Sequence, residues 1–137
     1  MSSQLCALGM LLGVFAMASP LVAQQSSASP TSSQARTIDL KSSDGITLKA
    51  SYFSAGRPGP GLLLFHACHR DGSSWNGLAT AAAARGIHVL AMDFRGYGQS
   101  GGTRGDNPQQ VQWIADREWP GDIDAAYAWL TSQAGVD

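Results

Sequence analysis

Charge is scarce in this sequence and missing from its opening stretch. Only 14% of the 137 residues are Asp, Glu, Lys or Arg, nine basic against ten acidic, and no charged side chain precedes Arg36. So thin and balanced a charge offers no basic face for nucleic acid and no patch for a membrane surface. Cysteine is nearly absent too, with Cys6 and Cys68 the two present. No internal repeat occurs, and the length suits one domain and not two. Long hydrophobic runs are also lacking. The longest, LCALGMLLGVFAMA over residues 5 to 18, falls short of the about 20 residues that span a bilayer.

That short run has another reading. It is followed by the small residues of SPLVAQQ, and residues 1 to 23 read as a secretory signal peptide with Ala23 as the last residue removed. The segment before the run, MSSQ, has no Lys or Arg, which leaves a buried N-terminal helix as the alternative. Residues 24 to 35 (QQSSASPTSSQA) are Ser/Gln-rich and aperiodic. They cannot bury enough surface to offset their ordering entropy, so a disordered linker is expected there. The folded domain then covers residues 36 to 137, secreted or periplasmic, with no stable membrane span after cleavage. Maturation removes Cys6 and leaves Cys68 without an intramolecular partner.

Within the domain, TIDLKSSDGITLKASYF reads as two strands about Asp44-Gly45, with Ile46, Leu48 and Ala50 alternating against polar neighbours. LLLF (residues 62 to 65) is an unbroken apolar run suited to a parallel strand covered on both faces. After Asp71-Gly72-Ser73-Ser74, the positions of Trp75, Leu78, Ala79, Ala82 and Ala83 predict a helix closed by Gly86. IHVLAM (residues 87 to 92) is a further strand, completing a βαβ unit. Asn107-Pro108 opens a short helix with Val111, Ile114 and Ala115. Pro120 opens another, with Ile123, Ala126, Tyr127 and Leu130 on one stripe, ended by Gly135.

Several motifs compete for the chemistry. Gly98-Gln99-Ser100-Gly101-Gly102 matches the G-x-S-x-G nucleophile pattern, which requires Ser on a sharp strand-to-helix turn. Here the strand ends near Asp93, and GGTRGDNP cannot start a helix at once, so Ser100 reads as a loop residue. Gly96-x-Gly98-x-x-Gly101 fails as a dinucleotide site for the same want of a helix. His66-Ala67-Cys68-His69 places three metal-ligand types in four residues, but neighbours at a strand end diverge where zinc needs convergence. A Cys68 nucleophile activated by an adjacent imidazole lacks an orienting third group. A plain structural turn is the remaining reading of this stretch.

Taken together, LLLFHACHRDGSSW, GIHVLAMDFRGYGQSGG and WPGDIDAAYAWLTSQ resemble the α/β-hydrolase superfamily, and within it dienelactone-hydrolase-like members. The resemblance covers roughly residues 37 to 137. It implies an N-terminal half of an α/β-hydrolase sheet, an antiparallel strand pair followed by the parallel βαβ unit. It implies that the backbone N–H of Cys68 is an oxyanion-hole donor, with Ala67 standing where the family usually has Gly. Asp93, Arg95 and Ser100 would hold a loop together. The nucleophile (Ser or Cys), acid and catalytic His would follow Asp137, so His66, His69 and His88 fill none of these roles. The sequence is then expected to be an N-terminal fragment, inactive alone, with an unpaired apolar edge on the LLLF strand that makes it aggregation-prone. The implied activity is hydrolysis of an ester, lactone or related small acyl substrate, with no metal or organic cofactor. A non-catalytic secreted binding domain, or an inactive truncated remnant, is the alternative.

Overall fold

The computed structural model describes residues 35 to 137. The signal-peptide reading and all of the linker except Ala35 lie outside the described residues. The strands are β1 (Arg36–Lys41), β2 (Thr47–Phe53), β3 (Gly61–Phe65) and β4 (His88–Met92). The helices are α1 (Asn76–Ala84), preceded by a 3-10 turn over Gly72–Trp75, then α2 (Pro108–Arg117) and α3 (Trp119–Thr131).

The four strands form one mixed sheet in the order β1-β2-β4-β3. β1 and β2 pair antiparallel around the turn at Gly45, with Leu40 opposite Leu48. β2 pairs antiparallel with β4, and β4 runs parallel to β3, with Leu63 opposite Leu90. Parallel neighbours need a crossover, and α1 supplies it. This is the antiparallel pair followed by βαβ that the sequence implies.

Burial follows the period of two. Leu48, Ala50 and Tyr52 of β2 join Leu90, Met92, Ala126 and Leu130 in a core between the sheet and α3. Val89 points the other way, into a second cluster with Phe53, Ala79, Ala82 and Ala83 of α1. β4, covered on both faces, is buried at every position. β3 lies at the edge of the sheet, as the resemblance implies, but its Leu62 to Phe65 are only half-buried where cover on both faces was expected. Just before it, the chain's last residues begin to pair: Gly59 bridges Val136 in parallel, with Asp137 N–H donating to Gly59 C=O at 3.1 Å.

Two helix stripes are narrower than their sequence spacing suggests. α1 buries Ala79, Ala82 and Ala83, small residues that let it lie close to the sheet, and leaves Leu78 50% exposed. α3 buries Asp122, Ala126 and Leu130 and leaves Tyr127 62% exposed. Leu78 and Tyr127 each lie roughly a quarter turn from the centre of the buried stripe, at about 100° per residue.

Candidate functional site

The C-terminal ends of β3 and β4 bring together the loops that carry every sequence motif. The β4 loop is fixed first by Asp93. Its Oδ1 accepts from Gly72 N–H at 2.6 Å and its Oδ2 from Gln99 N–H at 3.0 Å, so one carboxylate staples the turn before α1 to the loop after β4. Gly98 must be glycine for two reasons. Its φ is +50, and a Cβ there would sit 2.1 Å from Asp93 Oδ2. Gly96, with φ +74, would place a Cβ 2.3 Å from the backbone nitrogen of Arg104.

Ser100 is engaged as both donor and acceptor. Its hydroxyl donates to Asp93 C=O at 2.6 Å and accepts from Lys49 N–H at 2.8 Å. No helix follows it until Pro108. It ties the loop to β2 and is not set on a nucleophile elbow.

Arg95 is 3% exposed and each of its five N–H groups has a partner. Nε and Nη2 fork onto the two oxygens of Asp122, at 2.8 and 2.6 Å. Nη1 donates to Asp44 and to Glu118, each at 2.6 Å, and Nη2 also reaches Ser42 Oγ at 3.2 Å. The hydrogen bonds and charge of these carboxylates, Asp122 foremost, push the guanidinium pKa still higher. In return, the Arg95 hydrogen bond, helped by Ile46 N–H, holds Asp44 below the usual carboxylate range. Sequence reasoning assigned Arg95 a loop-holding role without finding its partners. Ser42, Asp44, Glu118 and Asp122 are separated along the chain and carry no shared motif.

The two loops meet through aromatic rings. Phe94 stacks on Phe65 at 5.4 Å and on Trp119 at 4.3 Å, and the His66 ring lies 5.2 Å from Tyr97. Trp119 Nε1–H is buried without an acceptor among the described residues.

After β3 the chain turns sharply. Arg70 N–H closes onto Ala67 C=O at 3.1 Å, with Cys68 and His69 at the corner. His69 has φ +64, the one left-handed residue other than glycine among those described, a conformation that costs about 1–2 kcal/mol. Arg104 braces it, donating from Nη2 to His69 Nδ1 at 2.6 Å while lying 4.8 Å over the Tyr97 ring. Cys68 is exposed, and among the described residues its N–H has no acceptor within the chain. Beside it opens a cavity of about 460 Å3 lined by Cys68, His69, Tyr97, Arg104, Asp106 and Val111, among others.

The three potential metal ligands of the HACH stretch therefore go separate ways. His66 is buried with both ring nitrogens hydrogen-bonded, to Phe94 N–H and Ala67 C=O, and neither is open to a metal. His69 points to Arg104, and Cys68 faces solvent. His88 is a core residue: Nε2 donates to Arg57 C=O at 2.9 Å, and Nδ1 accepts from the Tyr52 hydroxyl at 2.6 Å. What the geometry can offer to chemistry is an unused backbone donor at a strand end, backed by a rigid loop.

Comparison with known proteins agrees with this architecture. Residues 57 to 119 match a hydrolase family model described as serine aminopeptidase, S33. An uncharacterised protein of Mycobacterium tuberculosis is 33% identical over 113 residues, which cover 81% of this chain and 37% of that protein. Among solved structures, an α/β hydrolase of a Penicillium species superposes with a TM-score of 0.58 at 24% identity, over 76% of this chain and 34% of that one. An esterase of Pyrococcus furiosus gives a TM-score of 0.55 at 18% identity, over 74% and 38%. An epoxide hydrolase of an endophytic Streptomyces gives 0.54 at 25%, over 69% and 26%. The chain thus spans little more than a third of the curated relative it matches. Strand order, loop architecture and these likenesses together show that residues 35 to 137 form part of an α/β-hydrolase fold.

Proposed function

We propose that this chain supplies the oxyanion side of a secreted or periplasmic α/β hydrolase, exported by residues 1 to 23 and acting on an ester, lactone or related acyl substrate. The observation that carries the proposal is the N–H of the exposed residue Cys68, free of any acceptor among the described residues, just past the C-terminal end of β3 and beside a cavity. A backbone donor so placed can stabilise the charge that develops on a tetrahedral intermediate. It would act with the N–H of the residue after a Ser or Cys nucleophile, and that nucleophile, its acid and its His would lie on residues following Asp137. The isolated parallel bridge between Gly59 and Val136 supports this, since a strand running on from it would lie beside β3. The thiol of Cys68 takes no part in the reaction; only its N–H does. The dienelactone-hydrolase-like subtype belongs to the same proposal and rests on the DFRGYGQS and HAC motifs.

The test begins with the coding DNA past the codon for Asp137. The frame is expected to continue into an apolar strand and then G-x-S-x-G or its Cys form, with an acid and a His later. The product is expected to react with a fluorophosphonate or a thiol-directed acyl probe. A stop codon directly after Asp137 would refute the catalytic reading and leave a binding domain or remnant.

A further inference from the structure

We infer that His66 is the positioning residue of the oxyanion turn, acting through the Ala67 carbonyl as a neutral imidazole with its proton on Nδ1. The inference deepens the proposed function and rests on it for the word oxyanion; the geometry itself does not depend on it.

The tautomer follows from the partners. Phe94 N–H can only donate, so His66 Nε2, 3.1 Å away, must present a lone pair. Ala67 C=O can only accept, so Nδ1, 2.9 Å from it, must carry the proton. Both contacts demand the same form, and His66 is 7% exposed, its ring walled by Phe94 and Tyr97. His88 is held in the opposite tautomer by Arg57 C=O and the Tyr52 hydroxyl.

The consequence lies in the next peptide bond. Ala67 C=O and Cys68 N–H are two ends of one planar trans amide. Whatever fixes the direction of the carbonyl fixes the N–H in the opposite direction. The carbonyl takes two hydrogen bonds, from Arg70 N–H within the turn and from His66 Nδ1–H outside it. The first moves with the turn. The second is anchored through the ring to the loop just after β4, because Nε2 holds the backbone of Phe94. His66 therefore refers the aim of the Cys68 N–H to the loop that leaves the buried strand β4, across a turn already strained at His69. A larger displacement of this donor weakens transition-state binding more than substrate binding, so the effect belongs in kcat.

Two substitutions separate the two bonds, and both are made in the full coding product. An Asn amide places an N–H near the Nδ1 position and can keep the bond to Ala67. A Gln amide places an oxygen near Nε2 and can keep the bond to Phe94. Each variant loses one buried hydrogen bond, so similar losses of Tm are expected. His66→Gln is expected to speed amide exchange at Arg70 and thiol labelling at Cys68, followed by peptide mapping, by roughly threefold to tenfold over His66→Asn. His66→Gln should also lower kcat more than His66→Asn, with KM changing little. Equal effects of the two variants at Cys68 and Arg70 would overturn the inference. If they differ there but the wild type hydrolyses no acyl substrate, the positioning of the turn by His66 stands and the oxyanion reading falls. Should either variant fail to fold, nitrogen-15 NMR of wild-type His66 decides alone. A protonated Nδ1 with a bare Nε2 supports the inference, and the reverse tautomer sinks it.

Discussion

Replacing Arg95 by Met tests whether the buried ion cluster holds the β4 loop in the manner described. Asp122 is fully buried at the start of α3 and takes a two-point grip from Arg95. Without the guanidinium its carboxylate is left uncompensated in the interior, which typically costs about 3–5 kcal/mol. Asp44 and Glu118, with side chains 46% and 28% exposed, can turn to water and add less. Against a usual domain stability of about 5–15 kcal/mol, the loss is large. At a slope of about 2 kcal/mol/M, a loss of about 4 kcal/mol moves the urea midpoint by roughly 2 M. The assay is urea unfolding of the full chain followed by tryptophan fluorescence. The decisive variant is the double one, Arg95→Met with Asp122→Leu. An apolar pair of similar volume removes the stranded charge, so most of the lost stability should return. A single variant within about 0.5 M of wild type, or a double variant no better than the single, would refute the reasoning.

Three further outcomes are expected. Asp44 is held below the ordinary carboxylate range in the folded state, so its contribution is intact above that range and is lost as pH falls through the lowered value. Asp44→Asn should flatten the acid limb of the urea midpoint against pH, and an unchanged limb would count against the Asp44–Arg95 contact. Gly98 and Gly45 are both left-handed, at φ +50 and +87, but a Cβ at Gly45 meets nothing within 4 Å. Gly98→Ala should therefore lower Tm well beyond Gly45→Ala, whose cost is the backbone's alone at about 1–2 kcal/mol; equal losses would disprove the crowding by Asp93. Ser100→Ala leaves the Lys49 N–H without its acceptor and should cost about 1–3 kcal/mol in denaturant unfolding. It should leave fluorophosphonate labelling of the full coding product unchanged, whereas lost labelling would return Ser100 to the list of nucleophiles.

The elements were legible where a single period decides them. The alternation in β2 and the unbroken HVLAM run reach the sheet as read, because one neighbour set explains each residue. The stripes of α1 and α3 were read too wide, since Leu78 and Tyr127 satisfy helical spacing whether or not anything covers them. The edge position of β3 came from the family resemblance and not from its own letters. LLLF is equally apolar at the centre or the edge of a sheet, and strand order is a property of the whole. The motif glycines were visible as glycines, but their necessity came only with the position of Asp93 and of Arg104. Least legible was the ion cluster, whose members converge from the β1–β2 turn, the β4 loop, the α2–α3 junction and α3.

The strand ends are held by ties that all return to the residues just after β4. Asp93 reaches back to Gly72, Phe94 to His66, Arg95 to Ser42 and Asp44, and Ser100 to Lys49. Those targets lie in the turn before α1, just past β3, in the β1–β2 turn and in β2 itself. A sheet whose β3 edge is only half-buried cannot fix its terminal turn by packing alone. It is fixed instead by hydrogen bonds to the residues that leave its most buried strand. Because Asp93, Phe94 and Arg95 are consecutive, a displacement of one moves the anchors of all three. Substitutions at His66, Gly98 and Arg95 should therefore combine non-additively, although their side chains serve separate partners.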